Sequence, residues 1–237
     1  MTRLLDLGPG LWLADGADPV TVAGFDYPVR MAVVQLSDGG LLLWSPIRPT
    51  PGLLAEVTGL GPVRHIVAPN SLHHLFLPDW IAACPGAAVH GAPGLARKRR
   101  DIAFDSELTD TPHAGWTGDL AQVVVRGNLI TAEVVFFHRA SGTALFTDLL
   151  QQIPAASLSG WRATIARLDR MTGPEPAVPR KFRLAQVNRA EGRRAVERIL
   201  AWPVQRVVMA HGTPVLQDAP AFLRRAFAWL RPAVARD

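Results

Sequence analysis

The 237-residue sequence is 49% hydrophobic and 19% charged, with one cysteine and a formal net charge of +5. That composition excludes a disordered chain, a disulfide scaffold and a cysteine-rich zinc module. No apolar run reaches the roughly 18 to 20 residues of a membrane helix, and Met1–Gly10 lacks the basic-then-apolar order of a signal peptide, so the sequence reads as a cytoplasmic, globular chain with one domain over residues 1–237.

The first half is rich in short strands. Gly10–Ala14 is apolar, and Val29–Leu36 and Leu41–Trp44 flank Ser37-Asp-Gly-Gly40, which predicts an antiparallel hairpin. Pro51–Leu60 predicts a helix that stops at a glycine, and Arg64–Ala68 a buried strand that stops at Pro69. Leu77–Ala83 suits a helix with Pro78 in its first turn. Ala87–His90 is a further strand, and Pro93–Arg99 a short helix. Leu120–Arg126 is a strand; Thr131–His138 and Thr143–Thr147 predict a second hairpin around Ala140-Ser-Gly142.

The last third is mostly helical. Leu158–Met171 places Leu158, Trp161, Ile165 and Leu168 near helical spacing. A proline-rich break follows, and then a helix over Asn188–Trp202, with Asn188 as N-cap and Glu191 three residues on. Arg206–Ala210 is a buried strand and Asp218–Leu230 an amphipathic helix. Alternating runs of strands and helices predict a layered α/β architecture.

Three strand ends carry polar residues. His73 and His74 follow the strand ending at Ala68, Asp148 follows Thr147, and His211-Gly212 follows Ala210. Imidazole and carboxylate are the ligand types that hold Zn, Fe or Mn, so four such residues from three strand ends predict one metal site. Taken singly, each has a plainer reading: Asp148 as a helix N-cap, His211 as a turn residue. His65, His90, His113 and His138 read as structural or surface histidines, Asp79 as a first-turn acid favoured by the helix dipole, and Cys84 as buried and inert. Arg97-Lys98-Arg99-Arg100 reads first as a solvated helix end and second as a site for an acidic ligand; no nucleic-acid motif accompanies it, and nucleic acid is not an expected partner.

This order of motifs resembles the metallo-β-lactamase-like hydrolase superfamily, an αββα sandwich, over about residues 11–230. The nearest likeness is to a branch that is a domain of unknown function, carried by Asp38-Gly-Gly40, Ser45-Pro46, Val67-Ala-Pro-Asn70 with His73-His74, Glu133–His138 and Thr147-Asp-Leu149. The superfamily's His-x-His-x-Asp-His motif aligns with Pro69-Asn-Ser-Leu-His-His74, its Gly-His-Thr segment with Gly127–Thr131, which has no histidine, its bridging acid with Asp148 and its late histidine with His211. The resemblance therefore implies that one metal site is lost and the other kept. It implies one divalent ion per chain, Zn first and Fe or Mn next, held by His73, His74, Asp148 and His211. Asp148 would be both ligand and base-orienter, and Asn70 would donate to a developing oxyanion. The implied activity is hydrolysis of a small-molecule ester, thioester, lactone or amide; a non-catalytic ligand-binding relative is the alternative.

Overall fold

The computed structural model describes residues 3–230. In chain order its strands and helices are β1 (Leu5–Gly8), β2 (Leu11–Asp15), β3 (Val20–Val22), β4 (Phe25–Tyr27), β5 (Arg30–Gln35), β6 (Leu41–Trp44), α1 (Pro51–Leu60), β7 (Val63–Ala68) and α2 (Leu77–Ala83). They continue with β8 (Ala88–Gly91), α3 (Leu95–Lys98), β9 (Ser106–Glu107), β10 (Leu120–Val125), β11 (Glu133–His138), β12 (Thr143–Gln151) and α4 (Gly160–Leu168). The chain closes with α5 (Arg180–Ala185), α6 (Arg189–Leu200), β13 (Arg206–His211) and α7 (Ala219–Ala226). No described helix is long and apolar enough to cross a membrane.

Seven strands form one sheet in the order β1-β2-β5-β6-β7-β8-β9, and four form another in the order β10-β11-β12-β13. β3 and β4 make a separate hairpin. Strands β5, β6, β10 and β13 are buried on both faces and mostly apolar, which is what a sheet covered on both sides requires. In β6, Leu42 and Trp44 join the core between the sheets, while Leu41 and Leu43 face an outer core with Leu53 and Val57 of α1 and Trp80 of α2. In β13, Val208 and Ala210 point inward, and Val207 and Met209 face outward against Phe182, Val196 and Phe222 from three helices. Helix, sheet, sheet, helix is the predicted αββα order.

The predicted helix over 51–60 and the hairpin of β5 and β6 stand as read. One strand is longer than its sequence suggests. β12 runs on to Gln151, so Asp148 lies inside a strand rather than at a helix start. The β12 register against β13 breaks between Phe146, opposite Met209, and Gln151, opposite His211. Four residues there face one, so β12 bulges. Helix α4 lies within the predicted span Leu158–Met171; of its apolar positions, Trp161, Ile165 and Leu168 are all exposed, and Ala166 is its one buried residue.

Of the histidines outside the strand-end group, His90 and His138 are buried, His65 is half-buried and His113 is exposed. His138 is buried with Nδ1 on the Ser141 hydroxyl at 2.8 Å. His90, 1% exposed, lies between the Ser106 hydroxyl at 2.8 Å and His65 Nδ1 at 3.0 Å. Burial, with His65 and His113 nearby, pulls its pKa down to about 4. An unfolded chain restores the ordinary value of about 6.5. Between those two values the unfolded state takes up a proton that the folded state refuses. The stability tied to neutral His90 is thus complete above pH 6.5 and is lost as pH falls towards 4, by on the order of 2–3 kcal/mol. Urea midpoints measured from pH 7 to pH 5 should fall, and His90→Gln should flatten that slope whatever its own midpoint at pH 7. An equally steep slope in the variant would assign the dependence to other groups.

Candidate metal centre

The carboxyl ends of two parallel strand pairs meet at one edge of the sandwich: β6 with β7, and β12 with β13. Ser45 follows β6, the turn from Pro69 to Phe76 follows β7, Asp148 sits in the β12 bulge, and His211 ends β13. Three of the four ligands expected from sequence converge there. His73 Nε2 lies 3.1 Å from His211 Nε2 and 3.2 Å from Asp148 Oδ2, and His211 Nε2 lies 3.6 Å from Asp148 Oδ1. Among the described residues, this is the one group of at least three His, Cys, Asp or Glu whose donor atoms all lie within 4.8 Å of one another.

His74 does not join it. Consecutive residues of the turn aim apart, and the His74 ring turns to Arg99, whose guanidinium lies 2.8 Å from Nδ1 and donates to the His74 carbonyl at 3.2 Å. Burial, with Lys98 and Arg99 nearby, pulls the His74 pKa down to about 4, so the ring stays neutral and can accept from Arg99. The basic cluster is therefore partly a brace for this turn: Lys98 also donates to the Ser71 carbonyl at 2.6 Å.

Asn70 has a different task from the one expected. It is fully buried, and its amide donates to Asp148 Oδ2 at 2.7 Å and to the Thr147 hydroxyl at 2.8 Å. Its carbonyl accepts from the backbone N–H groups of Leu72 and His73. Both donor hydrogens are engaged, which leaves none for an oxyanion; Asn70 is a positioning residue that ties the His73 turn to Asp148. Gln151 Nε2 holds the other Asp148 oxygen at 2.6 Å. Burial pushes the Asp148 pKa up; positive charge on His73 and His211 when those rings are protonated, together with the Asn70 amide, outweighs it and holds the carboxyl well below the usual range.

The far nitrogens decide what faces the centre. His211 Nδ1 lies 2.6 Å from the Pro28 carbonyl, which can only accept, so Nδ1 carries the proton. In neutral His211, Nε2 is then a bare lone pair. His73 Nδ1 lies 2.8 Å from Ser45 Oγ, whose own hydrogen reaches the Arg30 carbonyl at 3.3 Å; this leaves Oγ to accept from Nδ1 and bares the His73 Nε2. Ser45 adopts a left-handed φ of 52°, a conformation that costs a non-glycine residue of order 1 kcal/mol and is found where geometry is held for function. Arg30 also donates to the carbonyls of Met209 and Gly212, which fixes the strand end that carries His211.

Two lone pairs and a carboxylate aimed at one point repel unless a cation lies among them. Their 3.1 Å separation matches two ligands of one tetrahedral ion, for bonds of about 2.0–2.1 Å imply about 3.3 Å. The donor set suits a divalent metal. Three protein ligands leave a position open, as catalytic zinc does. Ser71 and Thr131, which align with the superfamily's missing ligand region, hydrogen-bond each other through their hydroxyls at 2.9 Å.

Sequence reasoning assigned Glu133 no role, yet it underpins the site. The bulge strips three successive N–H groups of their ladder partners. Glu133 Oε1 accepts from Thr147 N–H at 2.8 Å, and Oε2 from Asp148 N–H at 2.8 Å and Leu149 N–H at 3.0 Å. Burial and the nearby Asp148 raise its pKa, and these N–H bonds oppose the rise. The available signal was a lone acid heading an otherwise apolar strand.

The centre forms the floor of a cavity of about 780 Å³. Its walls come from the β3–β4 hairpin, the turn after β7, α4 and α5, and are mainly apolar; Lys98, Arg180 and Lys181 also line it.

The fold has close solved counterparts. A metallo-β-lactamase from Pontibacter korlensis aligns with TM-score 0.64 and 16% identity over 98% of this chain and 100% of its own. One from Hirschia baltica aligns with TM-score 0.65 and 14% identity over 98% and 99%. FIM-1 from Pseudomonas aeruginosa, in its mono-zinc form, aligns with TM-score 0.65 and 11% identity over 97% and 92%. At such identities the likeness is one of fold. No curated protein matches the sequence. The family model that matches, over residues 12–159, is described as a domain of unknown function, DUF4336. The chain has the metallo-β-lactamase fold and belongs to the DUF4336 family.

Proposed function

We propose that the protein is a mononuclear metal-dependent hydrolase that cleaves a small-molecule ester, thioester, lactone or amide. One observation carries the reading: two bare imidazole nitrogens and the Asp148 carboxylate converge on one point at the floor of an apolar cavity. His73, Asp148 and His211 would hold one divalent ion, Zn first. When bound, such an ion lowers the pKa of water to about 7 and polarises a carbonyl.

The chain's own residues supply the rest. Pro28 and Ser45 hold the proton on the outer nitrogen of each histidine, so both rings stay oriented as acceptors. Asn70 and Gln151 hold the two Asp148 oxygens and fix the orientation of that carboxylate. Tyr27 lines the same cavity; its hydroxyl accepts from Lys181 Nζ at 3.2 Å and donates to Met171 Sδ at 3.8 Å. The apolar walls exclude bulk water and strengthen each of these interactions.

The test is hydrolysis of p-nitrophenyl acetate and acetyl thioesters by the purified, Zn-loaded chain. Turnover that falls at least 100-fold in His211→Ala and on chelation is the expected result. A stoichiometrically loaded protein that turns over no ester, thioester, lactone or amide would overturn the reading and leave a non-catalytic ligand-binding relative.

A further inference from the structure

Helix α4 shows an apolar face that the protein core does not use. Ile165 and Leu168, at helical spacing in the sequence, are 44% and 55% exposed, and both line the cavity. Five other exposed apolar side chains line it too: Val22 from the β3–β4 hairpin, Leu72 and Leu75 from the turn after β7, Ile130 from the segment before β11, and Leu184 from α5. Five separate segments thus converge their exposed apolar groups on one opening. Contiguous apolar surface of this kind is uncommon on a soluble protein and marks what the surface binds. Phe25, Ile47, Met171 and Phe182, all buried, line the same cavity as His73 and His211.

The charges in this cavity are one-sided. Asp148 belongs to the metal centre, and Asp169 is paired with Lys181 at 3.2 Å. Lys98 and Arg180 line the cavity and take part in no salt bridge among the described residues. Apolar walls from floor to rim fit a flexible hydrocarbon chain. Histidines at the floor and cations on the walls fit a carboxylate or ester end, and they disfavour a cationic one.

We infer that the substrate is a medium- to long-chain fatty-acyl ester or thioester, its acyl carbon at the His73–Asp148–His211 floor and its chain lying along α4 and α5 to the rim. This rests on the hydrolase reading above and narrows it. Hydrolysis would add water across the acyl bond, breaking the C–O or C–S bond, and would release the fatty acid and an alcohol or thiol. The fatty acid is therefore a product whose binding can be measured without turnover.

The experiment is calorimetric titration of the Zn-loaded chain with straight-chain carboxylates from butanoate to dodecanoate, each below its micelle concentration. Decyltrimethylammonium serves as the cationic control. Each methylene removed from water is worth about a factor of four, so decanoate should bind at least 100-fold more tightly than butanoate, and the ammonium more weakly than decanoate. Leu168→Asp and, separately, Leu184→Asp change exposed side chains and should fold. Each should weaken decanoate at least tenfold and leave butanoate unchanged. Affinity independent of chain length, or equal binding of the ammonium, would overturn the inference while leaving short-ester turnover intact. Steep chain-length dependence in a protein that hydrolyses no acyl ester would instead overturn the hydrolase reading and keep the acyl site.

Discussion

Purified without chelator or histidine tag, the wild-type chain should carry about one divalent ion, and His73→Ala or His211→Ala should carry less than one tenth of that. The reason is the number of donors. Among the described residues, three side chains converge on the centre. Removing one leaves two ligands, too few to compete with water and buffer. His74→Ala is the informative contrast. Its ring accepts from Arg99 instead of facing the centre, so elemental analysis should find its metal content near wild type. Ser45→Ala should fall between the two. Without the Ser45 hydroxyl, the His73 Nδ1 proton loses its acceptor and the ring loses its tautomer lock, and losses of this kind cost about 10- to 100-fold in metal affinity. A chelator competition resolves that range. Retention of full metal content by His211→Ala would refute the assignment, and loss in His74→Ala would show that the turn after β7 swings its second histidine inward when an ion is present.

The αββα fold was legible because its strands and helices are locally well marked. The Asp-Gly-Gly turn, the proline and glycine bounding α1, and the Asn188–Glu191 cap each specify an element through short-range chemistry, and each is found. Asn188 Oδ1 indeed accepts from the Glu191 N–H at 3.1 Å. Strand-end histidines were legible for the same reason, since a polar residue closing an apolar strand stands out. The division of labour between His73 and His74 was not. Adjacent residues in an irregular turn take directions set by long-range partners: Asn70 and Ser45 for one, and Arg99, 25 residues away, for the other. Periodicity located α4 but not what its apolar stripe faces: Ile165 and Leu168 line a cavity. The bulge in β12 was invisible too, because nothing in Thr-Asp-Leu-Leu marks a register break. It is stabilised by a residue on another strand.

That residue gives the second large effect. Glu133→Gln should lower stability by about 3 kcal/mol and the melting temperature by about 6–12 °C, a chain of this length losing roughly 2–4 °C per kcal/mol. Glutamine keeps the shape of glutamate and changes one acceptor oxygen into an NH2 group. Glu133 receives three backbone N–H groups, two of them on one oxygen, and all three belong to the β12 bulge. Whichever way the amide turns, donors meet donors, and at least one buried N–H is left without an acceptor, at about 1–3 kcal/mol. The same change should reach the centre. Asp148 leaves the bulge between two of those N–H groups, so a relaxed bulge moves its carboxylate relative to His73 and His211, and metal affinity should fall along with stability. Asp148→Asn separates the two effects: it should lose the metal with the bulge still held by Glu133. A Glu133→Gln protein that melts within 2 °C of wild type would mean that the bulge finds other acceptors, and that Glu133 is not what holds Asp148 in place.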